Sequence, residues 1–150
     1  MAIAVALHAL AAVVWVGGMF FAYFCLRPAV ASVDPPQRLP VMAGALGRFF
    51  VWVWLAVVVL LATGFGQVIA LGGFAAIAPH VNIMMALGIV MMLLFGHLYF
   101  APNRRFQAAV GRGDWAEAGR NLGTIRKIVE INLALGALTV AIGASGRYWG

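Results

Sequence analysis

Apolar positions along this chain come in four long runs, roughly residues 2–26, 49–71, 81–101 and 128–146, rather than in strand-like alternation. Each run is about the 20 residues that a helix needs to cross the hydrocarbon core of a bilayer. Residues 1–26 hold no Asp, Glu, Lys or Arg, and neither does the 55-residue stretch from Phe49 to Asn103. The pattern predicts an all-α integral membrane protein, a four-helix bundle forming one domain over 1–150. The first run is read as a true span rather than a signal peptide. No basic residue precedes it, it is too long for an h-region, and no small-residue cleavage motif follows.

Polar and breaking residues set the expected connections. Arg27-Pro28 and Asp34-Pro35-Pro36 are expected to stop the first helix, and Phe49, Phe50, Trp52 and Trp54 to anchor the second at the interface. Gly72-Gly73 and Pro79 bracket a short turn that should make spans two and three antiparallel neighbours. Beyond Pro102 the chain reaches Gly111-Arg112-Gly113-Asp114, where Asp114 and Glu117 match the two carboxylates of a capping box. Residues 115–127 should then form a short amphipathic cytoplasmic helix. Tyr148 and Trp149 mark the opposite interface.

Composition strengthens this picture. The chain is 65% hydrophobic and 9% charged, against about 45–50% and about 25% in soluble domains, and its mean hydropathy is +1.01. No separate soluble catalytic domain fits in 150 residues, so any chemistry lies in the bundle or at its mouths. P-loop, dinucleotide fingerprint, HExxH and a Ser-His-Asp set are all missing.

The formal charge of +6 is concentrated in two connections, 27–48 (net +2) and 102–127 (net +4). Both fall on one side of a four-span hairpin, which the positive-inside rule makes cytoplasmic. The expected location is an inner membrane, crossed several times, with both termini periplasmic. Membrane lipids are the expected partners of the basic residues. Nucleic acid is not. The homo-oligomeric state stays open.

Ionisable groups inside a membrane are functional hypotheses by default, so the three histidines carry most of the information. His8 lies just inside span one and His80 opens span three, at similar depths. His97 is 17 residues beyond His80, about 25 Å along the helix. One group can therefore join His8 to His80, with His97 a separate ligand or a structural residue. Helical phase puts His8, Trp15 and Met19 on one face, and His80, Met84 and Met91 on another.

Two histidines from two helices, with Trp15 and Gln67 nearby, suit a b-type haem. His8, His80, Met84 and Met19 suit copper, because imidazole and thioether are ligands of copper(I). Thr63 and Gln67, four residues apart at the same depth, are candidate hydrogen-bond partners of the ligands. The plain alternative for each is interhelical hydrogen bonding. Asn132, Gly136, Thr139 and Gly143 form a small-residue stripe expected to bring helices close. Cys25 is alone, which leaves no disulfide or thiolate cluster.

The string around His8, LHALAAVVWVGGMFFAYFCLRP, resembles the first span of the CopD-type copper-resistance membrane proteins, with a His followed by W-x-G-G and a basic stop. The chain is also similar to the HemJ-type four-span b-haem protoporphyrinogen oxidases. That similarity rests on Arg48, Thr63-Gly64, His80-Val81, Arg126 and Glu130. Asn82 stands where the latter pattern has lysine, and Glu130 is followed by Ile131-Asn132 without its proline, so the CopD-type resemblance is the closer.

The first expectation is a haem-binding bacterial inner-membrane protein with a redox or electron-transfer role, a membrane oxidoreductase served by a membrane or periplasmic redox partner. Copper uptake or delivery is the alternative, and a cofactor-free assembly subunit the third reading.

Overall fold

The computed structural model describes residues 1–149, Arg147 through its backbone alone. Four long helices make up the fold: α1 (Ala2–Ala29), α2 (Pro35–Ala70), α3 (Pro79–Arg112) and α4 (Trp115–Ser145). All four are long and apolar enough to span a membrane. Both ends of the described chain and the 71–78 turn lie at one end of the bundle, here the terminal end. The two charged connections lie at the other, the basic end. The outer surface carries large apolar side chains such as Ile3, Val13, Phe20, Val51, Ile69 and Leu93, as helices facing lipid should.

The helices run further toward the basic end than the apolar runs do. At 36 residues, α2 is about 54 Å long, well beyond a hydrocarbon core of about 30 Å. Asp34-Pro35-Pro36 starts this helix rather than ending the previous one. Asp34 is the extended N-cap and Pro35 the first helical residue, where a missing N–H costs nothing. The expected start at residue 49 is therefore too late. Leu39, Met42, Ala43, Leu46, Phe50, Val53 and Val57 are buried at helical spacing straight through it.

The first helix stops at Ala29, directly after Arg27-Pro28 as expected, whereas Pro102 does not terminate α3. A proline cannot donate to the carbonyl four residues back, and its ring crowds that carbonyl. In both places the helix widens instead into a π-helical turn, Ala22–Leu26 just before Pro28 and Tyr99–Asn103 around Pro102. It then continues to Ala29 and to Arg112.

The short helix expected over 115–127 is present and forms the first turns of α4, continuous with the fourth span. Extensions of α3 and α4 pack on each other as a hairpin, burying Phe106, Ala109 and Ala118 completely. Gly113 takes the left-handed conformation (φ 73°) at its tip. The Asp114 amide donates to Ala109 O at 2.9 Å and the Gly113 amide to Val110 O at 3.1 Å, the Schellman pattern.

Asp114 caps α4 by accepting from the Glu117 amide at 3.0 Å. Glu117 does not return the bond, since the Asp114 amide is already engaged. Its carboxylate pairs with Arg112 at 2.8 Å instead.

Packing is in two pairs. α1 lies along α2, and α3 along α4, while α4 also reaches α1 and α2. Spans two and three are antiparallel, as the short turn requires, but they meet through large side chains rather than close backbones. Phe95 is the centre of this contact, with ring centroids 5.6 Å from Phe50, 5.2 Å from Trp54 and 6.0 Å from Trp15. Phe50 and Trp54 thus face the core, and of the four aromatics expected to anchor the start of span two only Trp52 is exposed.

The W-x-G-G string acquires a physical role here. Trp15 is buried against Phe95, and a methyl group on Gly18 would overlap the ring of Phe49.

Candidate functional site

His8 sits two turns into α1, half-buried against α2. Its Nδ1 is 2.8 Å from Thr63 Oγ1. The Thr63 hydroxyl donates its single proton to Val59 O at 2.6 Å, so toward the imidazole it can only accept. His8 therefore donates through Nδ1–H, so that in the neutral ring the lone pair is on Nε2, the nitrogen that a metal could use. Gly64 completes the seat: a Cβ there would lie 3.5 Å from His8 Cε1, in ordinary contact. Gln67, one turn further along α2, makes no side-chain hydrogen bond among the described residues, so the partner is Thr63 rather than Gln67.

His80 is the second residue of α3 and faces α4. Its ring lies against Gly146, where any Cβ would overlap it, and packs edge-on with Trp149 at a centroid distance of 6.0 Å. From sequence, Trp149 is expected only as an interfacial anchor. Its contact with His80 lies past the end of the apolar run, where helical phase carries no information.

Met84, one turn below His80, lies against Gly143. A methyl group there would be 3.2 Å from Met84 Sδ. Met91 follows against Gly136, 3.1 Å from Met91 Cε to a built Cβ. The expected face of His80, Met84 and Met91 is thus the seam between α3 and α4, and the small-residue stripe is its other wall. Asn132 closes the stripe by donating from Nδ2 to Met91 O at 3.1 Å.

The other predicted residues lie elsewhere. Trp15 and Met19 are almost fully buried in the core. Met19 is eleven residues from His8 on a continuous helix, about 16 Å, too far to share one ion with it. His97 is exposed on the outer face of α3 and makes no side-chain hydrogen bond among the described residues. No hydrogen bond or ring contact joins His8 to His80. Among the described residues no three His, Cys, Asp or Glu side chains gather as a ready-made metal cluster. The donors at the terminal end are thus nitrogen and sulfur on two walls, one on the α1–α2 pair and one on the α3–α4 pair.

Two cavities lie at the basic end. One, of about 370 Å³, is lined by Tyr99, Phe100, Asn103, Arg104 and Gln107 beside the π-helical turn of α3. The other, of about 330 Å³, opens between α1, α2 and α4. Neither touches His8 or His80.

A family model described as Copper resistance protein D matches residues 43–145. That segment contains Thr63, His80, Met84 and Met91, while His8 precedes it. No curated protein and no solved structure matches the chain.

Proposed function

The chain belongs to the copper resistance protein D family, and from that premise we propose that it moves copper across a bacterial inner membrane, taking the ion up at the terminal end. The family match is the observation that carries this reading, and the donor chemistry agrees with it. Imidazole with thioether is a soft, copper(I)-compatible set, and His8 Nε2, His80 and the sulfur of Met84 form the receiving group. Met91 and Met19 stand about 16 Å deeper on α3 and α1. They belong to a later position of the ion, not to its first.

By the positive-inside rule the terminal end is periplasmic and the basic end cytoplasmic. The b-type haem and the redox role expected from the histidine pair find no support in the family.

Copper content of cells expressing the chain, measured against His8→Ala and His80→Ala, tests the proposal. Expression of the unaltered chain should raise cell-associated copper, and either variant should cancel most of the gain while inserting normally. Purified protein should bind copper(I) at a stoichiometry that falls in both variants. Unchanged cell copper, together with protein that purifies with haem bound through His8 and His80, would overturn it.

A further inference from the structure

The second cavity holds an arrangement that copper handling does not use. It lies where the π-helical turn of α1, the proline-rich start of α2 and the first turns of α4 converge, and an arginine from each helix lines it: Arg27, Arg38 and Arg126. None of the chain's four carboxylates is in the lining, and the ion pair described, Arg112 with Glu117, is elsewhere.

Two of the three guanidiniums are held in place. Arg38 donates from Nη1 to Ala31 O at 3.3 Å and to Val33 O at 3.2 Å, which leaves its remaining donors free. Arg27 lies over the ring of Tyr23 at 5.6 Å.

Beneath the arginines the lining turns apolar, with Leu39, Met42, Leu46, Leu122 and Ile125. Gly119 and Gly123 widen it, since a Cβ at either would meet nothing within 4 Å. Three uncompensated cations above a hydrocarbon floor, at the edge of a bilayer, fit a molecule with an anionic phosphate head and an acyl tail. We propose that this cleft is a binding site for an anionic glycerophospholipid, its phosphate held by Arg27, Arg38 and Arg126 and the start of an acyl chain lying on Leu122 and Ile125. Guanidinium forks suit phosphate oxygens. A free phosphate would satisfy the arginines but leave the apolar floor uncovered.

The test uses the full chain in neutral detergent, titrated with dioleoyl phosphatidylglycerol or dioleoyl phosphatidylcholine, with bound lipid counted by native mass spectrometry. One phosphatidylglycerol should bind per chain in preference to phosphatidylcholine. Arg126→Gln, which removes no side-chain hydrogen bond among the described residues, should weaken it about fivefold, as should Arg38→Gln. Arg105→Gln, an equal charge loss outside the cleft, should change it less than twofold.

Leu122→Trp, which fills the floor and leaves every charge in place, should also displace the lipid, and it keeps the test valid if Arg38→Gln fails to fold. Inorganic phosphate at millimolar concentration should not compete. Competition by phosphate with Leu122→Trp silent would assign the arginines to a soluble anion and overturn the lipid site. Equal losses in all three arginine variants would reduce it to general surface attraction and overturn it as well.

Discussion

A single hydroxyl determines which nitrogen His8 presents. Because Thr63 gives its proton to Val59 O, its oxygen fixes the imidazole with Nε2 free. Thr63→Val keeps the shape and removes the acceptor. Outer partners of this kind typically carry 10–100-fold of metal affinity, so copper(I) affinity should fall at least about tenfold. Thermal stability should barely move, since such bonds in membranes average about 0.6 kcal/mol. A competition titration with a chromogenic copper(I) chelator measures the first and a melting curve the second.

Gly18→Ala should do the reverse, lowering stability by about 1–3 kcal/mol through the Phe49 ring while leaving the proposed copper donors in place. At this scale the sequence is partly legible. Depth and phase select His8, Thr63, Gln67, His80 and Met84 as one layer. They cannot say that Thr63 reaches the imidazole and Gln67 does not, because that depends on where side-chain tips end. Nor can they pair His80 with Trp149 across a chain end.

Helix ends are governed by backbone groups, and those at the basic end make a specific expectation. Gly113 holds a positive φ that a Cβ disfavours, so Gly113→Ala should cost about 1 kcal/mol. Asp114→Ala should cost about the same by freeing the Glu117 amide. Reversible unfolding in mixed micelles would report both, and a larger loss from either would mean that the hairpin tip holds more than its own caps.

The capping signature at Asp114 was readable because it is local. Not every proline was. Pro28 marks the end of α1 at Ala29, but at Pro102 a π-helical turn absorbs the break, and tertiary packing of Phe106 and Ala109 on α4 favours continuing. Residues 35–48 read as a loop through Pro35, Pro36, Arg38 and Pro40, although Leu39, Met42, Ala43 and Leu46 already carry the apolar period. Counting uncharged runs finds the part of a helix that sits in lipid and misses the part that projects beyond it.

For the whole molecule, four spans and one end bearing nine of the ten basic residues were legible from charge segregation alone, but the pairing of spans was not, because lipid-facing and helix-facing positions are equally apolar. A reporter active only in the cytoplasm, fused after Gly113, should give signal, and signal from a periplasmic reporter there would invert the proposed direction of copper uptake. Asn132→Leu should change stability by less than about 1 kcal/mol, since the one bond to Met91 O is offset by the buried Oδ1 that has no partner. Denaturation in detergent would show it.

The pairing also bears on how the chain could be assembled from parts. Backbones approach most closely within each pair, α1 on α2 through Gly18 and Gly64, and α3 on α4 through Gly143 and Gly146, while Gly136 also seats Val16 of α1 and so joins the pairs. The covalent link between the pairs is the turn at Gly72-Gly73, where helix α2 is already capped. Cutting there removes no buried contact of either hairpin. Two genes encoding residues 1–73 and 74–150, expressed together, should rebuild a working bundle in the membrane, whereas a cut at Gly113 would divide one hairpin and leave two unmated helices.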